Sequence, residues 1–192
     1  DRAQRRVGFH GRGIDANQDG TIDLDLPGLY ATDPLHKELF VEVDYMSCEV
    51  LGVCGGALGN YRPDVNGLFD VKLAFANAPV DNPDGVKGID LQIVLDEAVP
   101  AISDIKFRTR GPTNLDDFND LKLGGNNAFF PGSACGVKVT DGHFGKAADR
   151  LSSNCEQILA AKRKVFRYAI FGDSFEEAFG GSGIAERPGN DL

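Results

Sequence analysis

The strongest chemical signal in the sequence is a short segment in which alternate residues can supply an oxygen ligand. These residues are Asp15, Asn17, Asp19, Thr21 and Asp23. They match positions 1, 3, 5, 7 and 9 of a loop of the EF-hand type, in which a glycine at position 6 allows the sharp turn and position 7 offers its backbone carbonyl. Because hard cations prefer oxygen ligands in this pattern, the segment predicts a Ca²⁺ site.

The segment departs from an EF-hand at its far end. Position 12, where an EF-hand has a bidentate glutamate, is Leu26, and Asp25 stands one place early as a further candidate ligand. No amphipathic helix flanks the loop on either side. The pattern is typical of an isolated calcium loop in an extracellular protein rather than of a paired calcium sensor. The alternative is a solvated turn rich in Asp and Asn.

Other acidic residues give weaker signals. Residues 114–120 form a second acidic cluster, but it has no glycine for the turn and equally suits the start of a helix. We interpret it as a capped turn, with a second calcium site as the alternative. Asp44 and Asp96 each lie at the end of a predicted strand, where ligand sites of open α/β sheets lie, but we expect them to be ordinary solvated carboxylates.

The four cysteines fall into two local pairs. Cys48 lies six residues before Cys54, and Cys135 lies twenty residues before Cys155. Neither pair has the C-x-x-C spacing of a zinc site, and no histidine lies close to either. We expect two disulfides rather than free thiols, which favours a secreted or extracellular protein.

No catalytic motif is present in the chain. The three histidines, His10, His36 and His143, are scattered, and there is no H-E-x-x-H, G-x-S-x-G, P-loop or G-x-G-x-x-G motif. Ser182 lies in a Gly-Ser-Gly turn without a base in evidence. We therefore expect no catalytic residue in this chain.

Composition limits the class of protein. With 192 residues and 42% hydrophobic content, the chain is long enough to form one ordinary globular domain. Its net charge of −9 leaves no basic surface for nucleic acid or for an anionic membrane. No apolar run is long enough to span a bilayer.

The elements that must position these residues follow from hydrophobic periodicity. Residues 38–45 and 89–97 alternate as strands, and between them Asp64 caps a helix that ends near Pro79. The predicted helix face consists of Val65, Leu68, Val71, Lys72 and Phe75. A strand, a crossover helix and a second strand form a βαβ unit with parallel strands and a right-handed crossover.

The remainder of the chain completes an α/β (α+β, mixed-sheet) fold with long ordered loops. Residues 100–150 are expected to be mainly loop, and residues 165–171 a strand. Residues 151–164 are expected to form a helix with an apolar face of Leu151, Cys155, Ile158, Leu159 and Lys162. We expect residues 1–35 to form an N-terminal segment that carries the calcium loop, and residues 36–192 to form the α/β domain.

Several stretches resemble one family, the large secreted bacterial zinc metalloproteases of the metzincin type. Residues 33–46, D-P-L-H-K-E-L-F-V-E-V-D-Y-M, resemble the opening strand of those proteins. The calcium loop upstream and the helix and strand downstream follow in the same order. Further similar stretches are residues 117–122, 143–145, 165–172 and 182–191. The resemblance covers nearly the whole chain from about residue 11.

The resemblance implies that the chain is the upper half of a metzincin catalytic domain. In such proteins the last of these stretches leads into an edge strand above the substrate cleft, and the cleft rim here would include Gly183, Ile184, Ala185 and Glu186. The zinc helix, H-E-x-x-H-x-x-G-x-x-H, would lie beyond Leu192. Zn²⁺ and a peptide substrate are therefore expected only when a downstream segment is present.

Two hypotheses result. In the first, the chain is the calcium-binding N-terminal portion of a secreted zinc-dependent endopeptidase, not catalytic alone, whose partner is the downstream segment of the same protein. In the second, it is a non-catalytic extracellular adhesive or structural module, stabilised by calcium, in which another copy of the chain pairs with an open sheet edge after Ser182.

Overall fold

The computed structural model describes residues 9–10, 13–52, 54–55, 58–102, 105, 118–124, 135 and 142–174. These residues contain both helices and strands, as expected for a mixed α and β fold. In chain order the elements are β1 (Phe9–His10), β2 (Gly13–Ile14), α1 (Leu26–Tyr30), β3 (Glu38–Ser47), a 3-10 turn (Cys48–Leu51), α2 (Val65–Ala76), β4 (Asp90–Pro100), α3 (Phe118–Leu123), α4 (Ala147–Leu151), α5 (Cys155–Lys162) and β5 (Phe166–Phe171).

The main sheet has three strands in the order β4, β3, β5, and all of its neighbours are parallel. Parallel neighbours need a crossover, which α2 supplies between β3 and β4. The predicted strand–helix–strand unit and the predicted last strand are thus confirmed. β4 carries one extra residue opposite β3, because Val43 pairs with Leu95 whereas Tyr45 pairs with Ala98. This β-bulge lies at Asp96 and Glu97.

Helix α2 begins where the sequence predicts. The Asp64 carboxylate accepts hydrogen bonds from two backbone N–H groups of the first turn, at 2.7 and 3.2 Å. The predicted buried face is only partly right. Lys72 and Phe75 are half-buried, but Val65 and Val71 are exposed because α2 contacts β4 along one narrow side.

Both faces of the sheet are covered, as a parallel sheet requires. On one face Phe40, Met46, Phe166 and Tyr168 join a large core that includes residues of α3 and α5. On the other face a smaller cluster of Val41, Val43 and Leu91 lies beneath Phe75 of α2. The alternation of β3 therefore separates two cores rather than a core and a solvated surface.

The N-terminal part of the described chain is packed on this sheet. Ile14, Leu24 and Leu26 are buried in the larger core. The Tyr30 ring contacts the rings of Phe40 and Phe166 edge-on, with centroids 5.5 and 5.6 Å apart. These contacts hold residues 13–30 against β3 and β5.

Two expectations for the second half need correction. The helix predicted over 151–164 is the shorter α5, Cys155–Lys162, because the backbone at Ser152 is extended and the Ser152 hydroxyl accepts the N–H of Asn154 at 3.2 Å. Leu151, predicted to lie on the apolar face, ends α4 and is 59% exposed. Residues 100–150, predicted to be mainly loop, contain α3 and α4; much of 103–141 lies outside the described residues.

Candidate functional site

Asp15 anchors the predicted calcium loop. Its side chain is buried, and it accepts backbone hydrogen bonds from Gln18 at 2.6 Å, Asp19 at 3.2 Å and Gly20 at 2.8 Å. A carboxylate that gathers successive N–H groups fixes a tight turn. Gln18 and Gly20 accordingly have positive φ angles of 65° and 92°, which the glycine adopts without strain.

In the exposed part of the loop, side-chain oxygens also accept backbone N–H groups, but from residues only two positions further along the chain. The Asn17 side-chain oxygen accepts the N–H of Asp19 at 3.1 Å, and Asp19 accepts the N–H of Thr21 at 2.7 Å. The Asn17 amide also donates to Asp19 at 2.9 Å. The hydrogen bond from the Thr21 backbone, followed by that from Asn17, lowers the pKa of Asp19, which is therefore ionised at neutral pH.

Asp23 closes the loop. Its carboxylate accepts the N–H of Ala16 at 2.7 Å, and just outside it Ile14 and Leu24 exchange backbone hydrogen bonds at 2.9 and 3.1 Å. The Lys164 ammonium donates to the Ala16 carbonyl at 3.3 Å and so links the loop to the end of α5. The loop is thus a closed turn joined to the core at its base.

Asp25, the further candidate ligand, caps a helix instead. Its carboxylate accepts the N–H of Gly28 at 3.0 Å and caps α1. The loop therefore has four side chains with suitable oxygens, Asp15, Asn17, Asp19 and Asp23, together with the backbone of Thr21. These are the ligand types that Ca²⁺ prefers. In the part of the chain that the structure describes, no group of three or more His, Cys, Asp or Glu side chains is arranged to hold a metal. The ligand types fit, but the carboxylates bond to backbone N–H groups instead of converging.

A second polar region lies on the sheet face opposite α2. Glu42 is fully buried there, and the Lys162 ammonium lies 3.1 Å from its carboxylate and 2.6 Å from that of Asp149. The Gly145 N–H donates to Glu42 at 2.5 Å. Burial raises the pKa of Glu42 although the Lys162 charge opposes it, whereas Glu42 and Asp149 together raise the pKa of Lys162 in spite of its own burial.

Asp44, expected to be solvated, is fully buried. It accepts the Tyr168 hydroxyl at 2.8 Å and the Glu97 N–H at 3.2 Å. Burial, reinforced by the Glu42 charge, raises the pKa of Asp44 well above its usual range. The prediction was wrong because α3, α5 and the segment before α4 cover this face of the sheet.

Glu97 on the bulge of β4 completes the region. One of its oxygens lies 2.9 Å from His143 Nδ1 and 2.7 Å from a guanidinium nitrogen of Arg150. Burial raises the pKa of Glu97, but the His143 hydrogen bond and the Arg150 charge outweigh it, so the net pKa is lowered. Asp96, also expected to be solvated, is half-buried. Among the described residues one of its oxygens has no hydrogen-bond partner, and burial raises its pKa.

We call this group the ionic network. Its members share a place between the sheet and the segment after residue 141: Glu42, Asp44, Glu97, His143, Asp149, Arg150, Lys162 and Tyr168. Sequence reasoning missed it. The available signals were a lysine within the apolar face of a predicted helix and two carboxylates within an apolar strand. Among the described residues its carboxylates pair with Lys162, Arg150, His143 or Tyr168, and those of Glu97 and Asp149 remain partly exposed.

The cysteines, His36 and His10 lie outside both of these regions. Both expected disulfides form, Cys48–Cys54 and Cys135–Cys155. His36 pairs with Asp84 at 2.8 Å beside the start of β3. His10 is in β1, and its side chain is not described.

Several predictions fall outside the described residues. They are the cleft rim (Gly183, Ile184, Ala185 and Glu186), Ser182 with the sheet edge after it, and positions 114–117 of the second acidic cluster. The rest of that cluster opens α3, where Asp120 is buried in the first turn.

Comparison with known proteins finds no matching family model, curated protein or solved structure. Among the described residues, no helix is long and apolar enough to cross a membrane. The Asp15–Asp23 loop is therefore the region in which exposed groups and ligand chemistry coincide.

Proposed function

We propose that this chain is the calcium-binding N-terminal portion of a secreted zinc-dependent endopeptidase. The observation that carries the proposal is the closed turn at residues 15–23. Buried Asp15 fixes this turn from within, and the carboxylate of Asp19 remains exposed. A loop of this kind joins its cation directly to the core through Ile14 and Leu24. Calcium would then stabilise the docked segment rather than act in catalysis.

Two further observations support the extracellular and peptidase parts of the proposal. Both cysteine pairs are oxidised, as in proteins of oxidising compartments. The loop, β3, α2, β4 and β5 follow in the order that the resemblance to metzincins implies. Zinc would have to be bound by a downstream segment, since neither the sequence motifs nor the described residues provide a site for it. This chain would contribute the sheet on which that segment is built.

Calcium binding is tested by thermal unfolding with Ca²⁺ and with EDTA. A cation at about 100 times its dissociation constant adds about 2.7 kcal/mol of stability, so we expect Tm to rise clearly in calcium. Asp19→Ala should abolish that rise. Asp70→Asn, which alters an exposed aspartate of α2, is the matched control and should keep it. Equal melting curves in calcium and EDTA for the unaltered chain would contradict the calcium part.

The peptidase part is tested separately, by the gene sequence downstream of the codon for Leu192 and by casein cleavage with the longest product of the gene. We expect an H-E-x-x-H helix downstream and zinc-dependent cleavage. A stop codon at that position would refute this part, and a stable zinc-free oligomer would favour the adhesive or structural module instead.

A further inference from the structure

Residues 142–151, here called the strap, cross the carboxylate face of the sheet before α5. The strap is attached by backbone bonds at its start, where the N–H groups of His143 and Phe144 donate to the carbonyls of Leu121 and Lys122 at 2.8 and 3.0 Å. The Phe144 ring is buried edge-on against Tyr168 of β5, with centroids 6.1 Å apart. The strap thus covers β3 and β5 from one side.

The rest of its attachment to the sheet is polar. The Gly145 N–H donates to Glu42, and both His143 and Arg150 bond to one oxygen of Glu97. Arg150 also donates to the carbonyls of His143 and Gly145, so its guanidinium braces the strap internally. Glu97 is consequently the single sheet residue that holds both ends of the strap.

The attachment of the strap depends on the charge of Glu97, because charged and titratable groups surround that residue. From the strap it faces His143 and Arg150, and from its own strand it faces Asp96. From β3 it faces Asp44, which accepts its N–H, and from β5 it faces Tyr168. Arg150 is only 8% exposed, so without a charged Glu97 its guanidinium would lack a carboxylate partner in the described residues. An unpaired buried cation lowers its free energy by moving into water.

We propose that Glu97 is an acid-sensitive release point for the strap, so that losing its negative charge frees residues 142–151 while the three strands stay paired. The sheet is retained because β3 pairs with β4 over nine residue positions and with β5 over six, none of which depends on Glu97 as a charge. After that loss the strap keeps its backbone bonds to α3, the Gly145–Glu42 hydrogen bond and the Asp149–Lys162 ion pair, so release begins where Glu97 held His143 and Arg150.

The sign of the pH effect follows from the pKa of Glu97, which is lower in the folded chain than in the unfolded one. A carboxyl of this kind contributes full stability above its unfolded pKa of about 4.3, and the contribution is lost as pH falls through the folded value. Release of the strap is therefore expected below the ordinary glutamate range. Glu42, which also faces the strap, has a pKa raised by burial, so its protonation at falling pH favours the closed strap and opposes release.

The test is amide hydrogen exchange of the 192-residue chain from pH 7 to pH 3, expressed as protection factors so that the intrinsic pH dependence is removed. We expect protection of the strap to fall below pH 4.3 while that of β3 and β4 is retained. In Glu97→Gln the strap should already exchange about 10-fold faster than in the unaltered chain at pH 7, because charge-assisted bonds are lost. Asp84→Asn, at the other histidine–carboxylate pair, is the matched control and should leave the strap unchanged.

Three results would overturn the proposal. One is a strap that loses protection together with the sheet at every pH, and another is a Glu97→Gln strap as protected as in the unaltered chain. If Glu97→Gln does not fold, the pH series of the unaltered chain decides. Strap protection that is retained unchanged down to pH 3 would then contradict the role of Glu97.

Discussion

The loop at residues 15–23 and the ionic network are both built around carboxylates, but those carboxylates find their hydrogen-bond and charge partners in different ways. In the loop, the hydrogen bonds of the Asp and Asn side chains join groups no more than seven residues apart, and most of the donors are backbone N–H groups. In the network, Glu97 meets His143 across 46 positions, Glu42 meets Lys162 across 120, and Asp44 meets Tyr168 across 124. One region is local and open, and the other is long-range and closed.

The difference lies in how far a cation from solvent can reach the carboxylates of each region. Asp19 is exposed and held ionised by hydrogen bonds, so a cation can reach it and replace the weak bonds it makes. Glu42 is buried beside Lys162, which already supplies the positive charge. In the network the chain's own cations occupy the place that a ligand would need. Its role is therefore to hold the strap and α5 on the sheet.

The largest expected effect breaks the network. Lys162→Met removes the ammonium between Glu42 and Asp149 and leaves Glu42 buried without its charged partner. Removing one partner of a buried ion pair costs about 3–5 kcal/mol. We expect a loss of that size in the free energy of unfolding, measured by urea denaturation at pH 7.

Lys164→Met is the matched control for this prediction. Lys164 is exposed and donates one hydrogen bond, to Ala16 of the loop, so its loss should stay within about 0.5 kcal/mol. Similar losses in the two variants would show that the network is no more tightly held than the loop, and the comparison would fail.

The next effect distinguishes two residues of the loop, Asp15 and Asp19. Without calcium, Asp15→Ala leaves the N–H groups of Gln18 and Gly20 without their acceptor, which costs about 1–3 kcal/mol, whereas the Asp19 N–H keeps the Asn17 oxygen. Asp19→Ala in EDTA should leave Tm nearly unchanged, because its carboxylate is exposed. Thermal unfolding in EDTA distinguishes the two. An equal drop for both variants would mean that Asp19 is a structural residue rather than a calcium ligand.

Local patterns predicted the fold well where one residue decides the outcome. Asp64 caps α2, alternation marks β3 and β4, and two short cysteine spacings give both disulfides. The start of α5 was predicted too early because Leu151 fits the helical spacing. The backbone at Ser152 is extended and its hydroxyl accepts the Asn154 N–H, which separates Leu151 from α5, and spacing alone does not show this.

The ionic network could not be predicted for a different reason. Glu42 and Asp44 alternate with Val41 and Val43, and the same alternation is typical of a strand with one solvent-exposed face. Only the docking of the strap and α5, which come more than a hundred residues later, turns that face into a core. The loop was visible because its partners are its own neighbours.

The smallest effect concerns Asp44 and reverses the usual direction for an acid. Burial raises its pKa well above the unfolded value, so its contribution to stability is greatest below the unfolded pKa and is lost as pH rises through the folded one. Asp44→Asn keeps an oxygen that can accept the Tyr168 hydroxyl and removes the titration. The stability of the variant relative to the unaltered chain should therefore increase between pH 4 and pH 8 in urea denaturation. Asp84→Asn should show the opposite slope, because His36 lowers the pKa of Asp84 and its stability is present at higher pH. Parallel slopes in the two variants would mean that Asp44 is no more desolvated than the exposed Asp84, and the contrast between closed network and open surface would lose its physical basis.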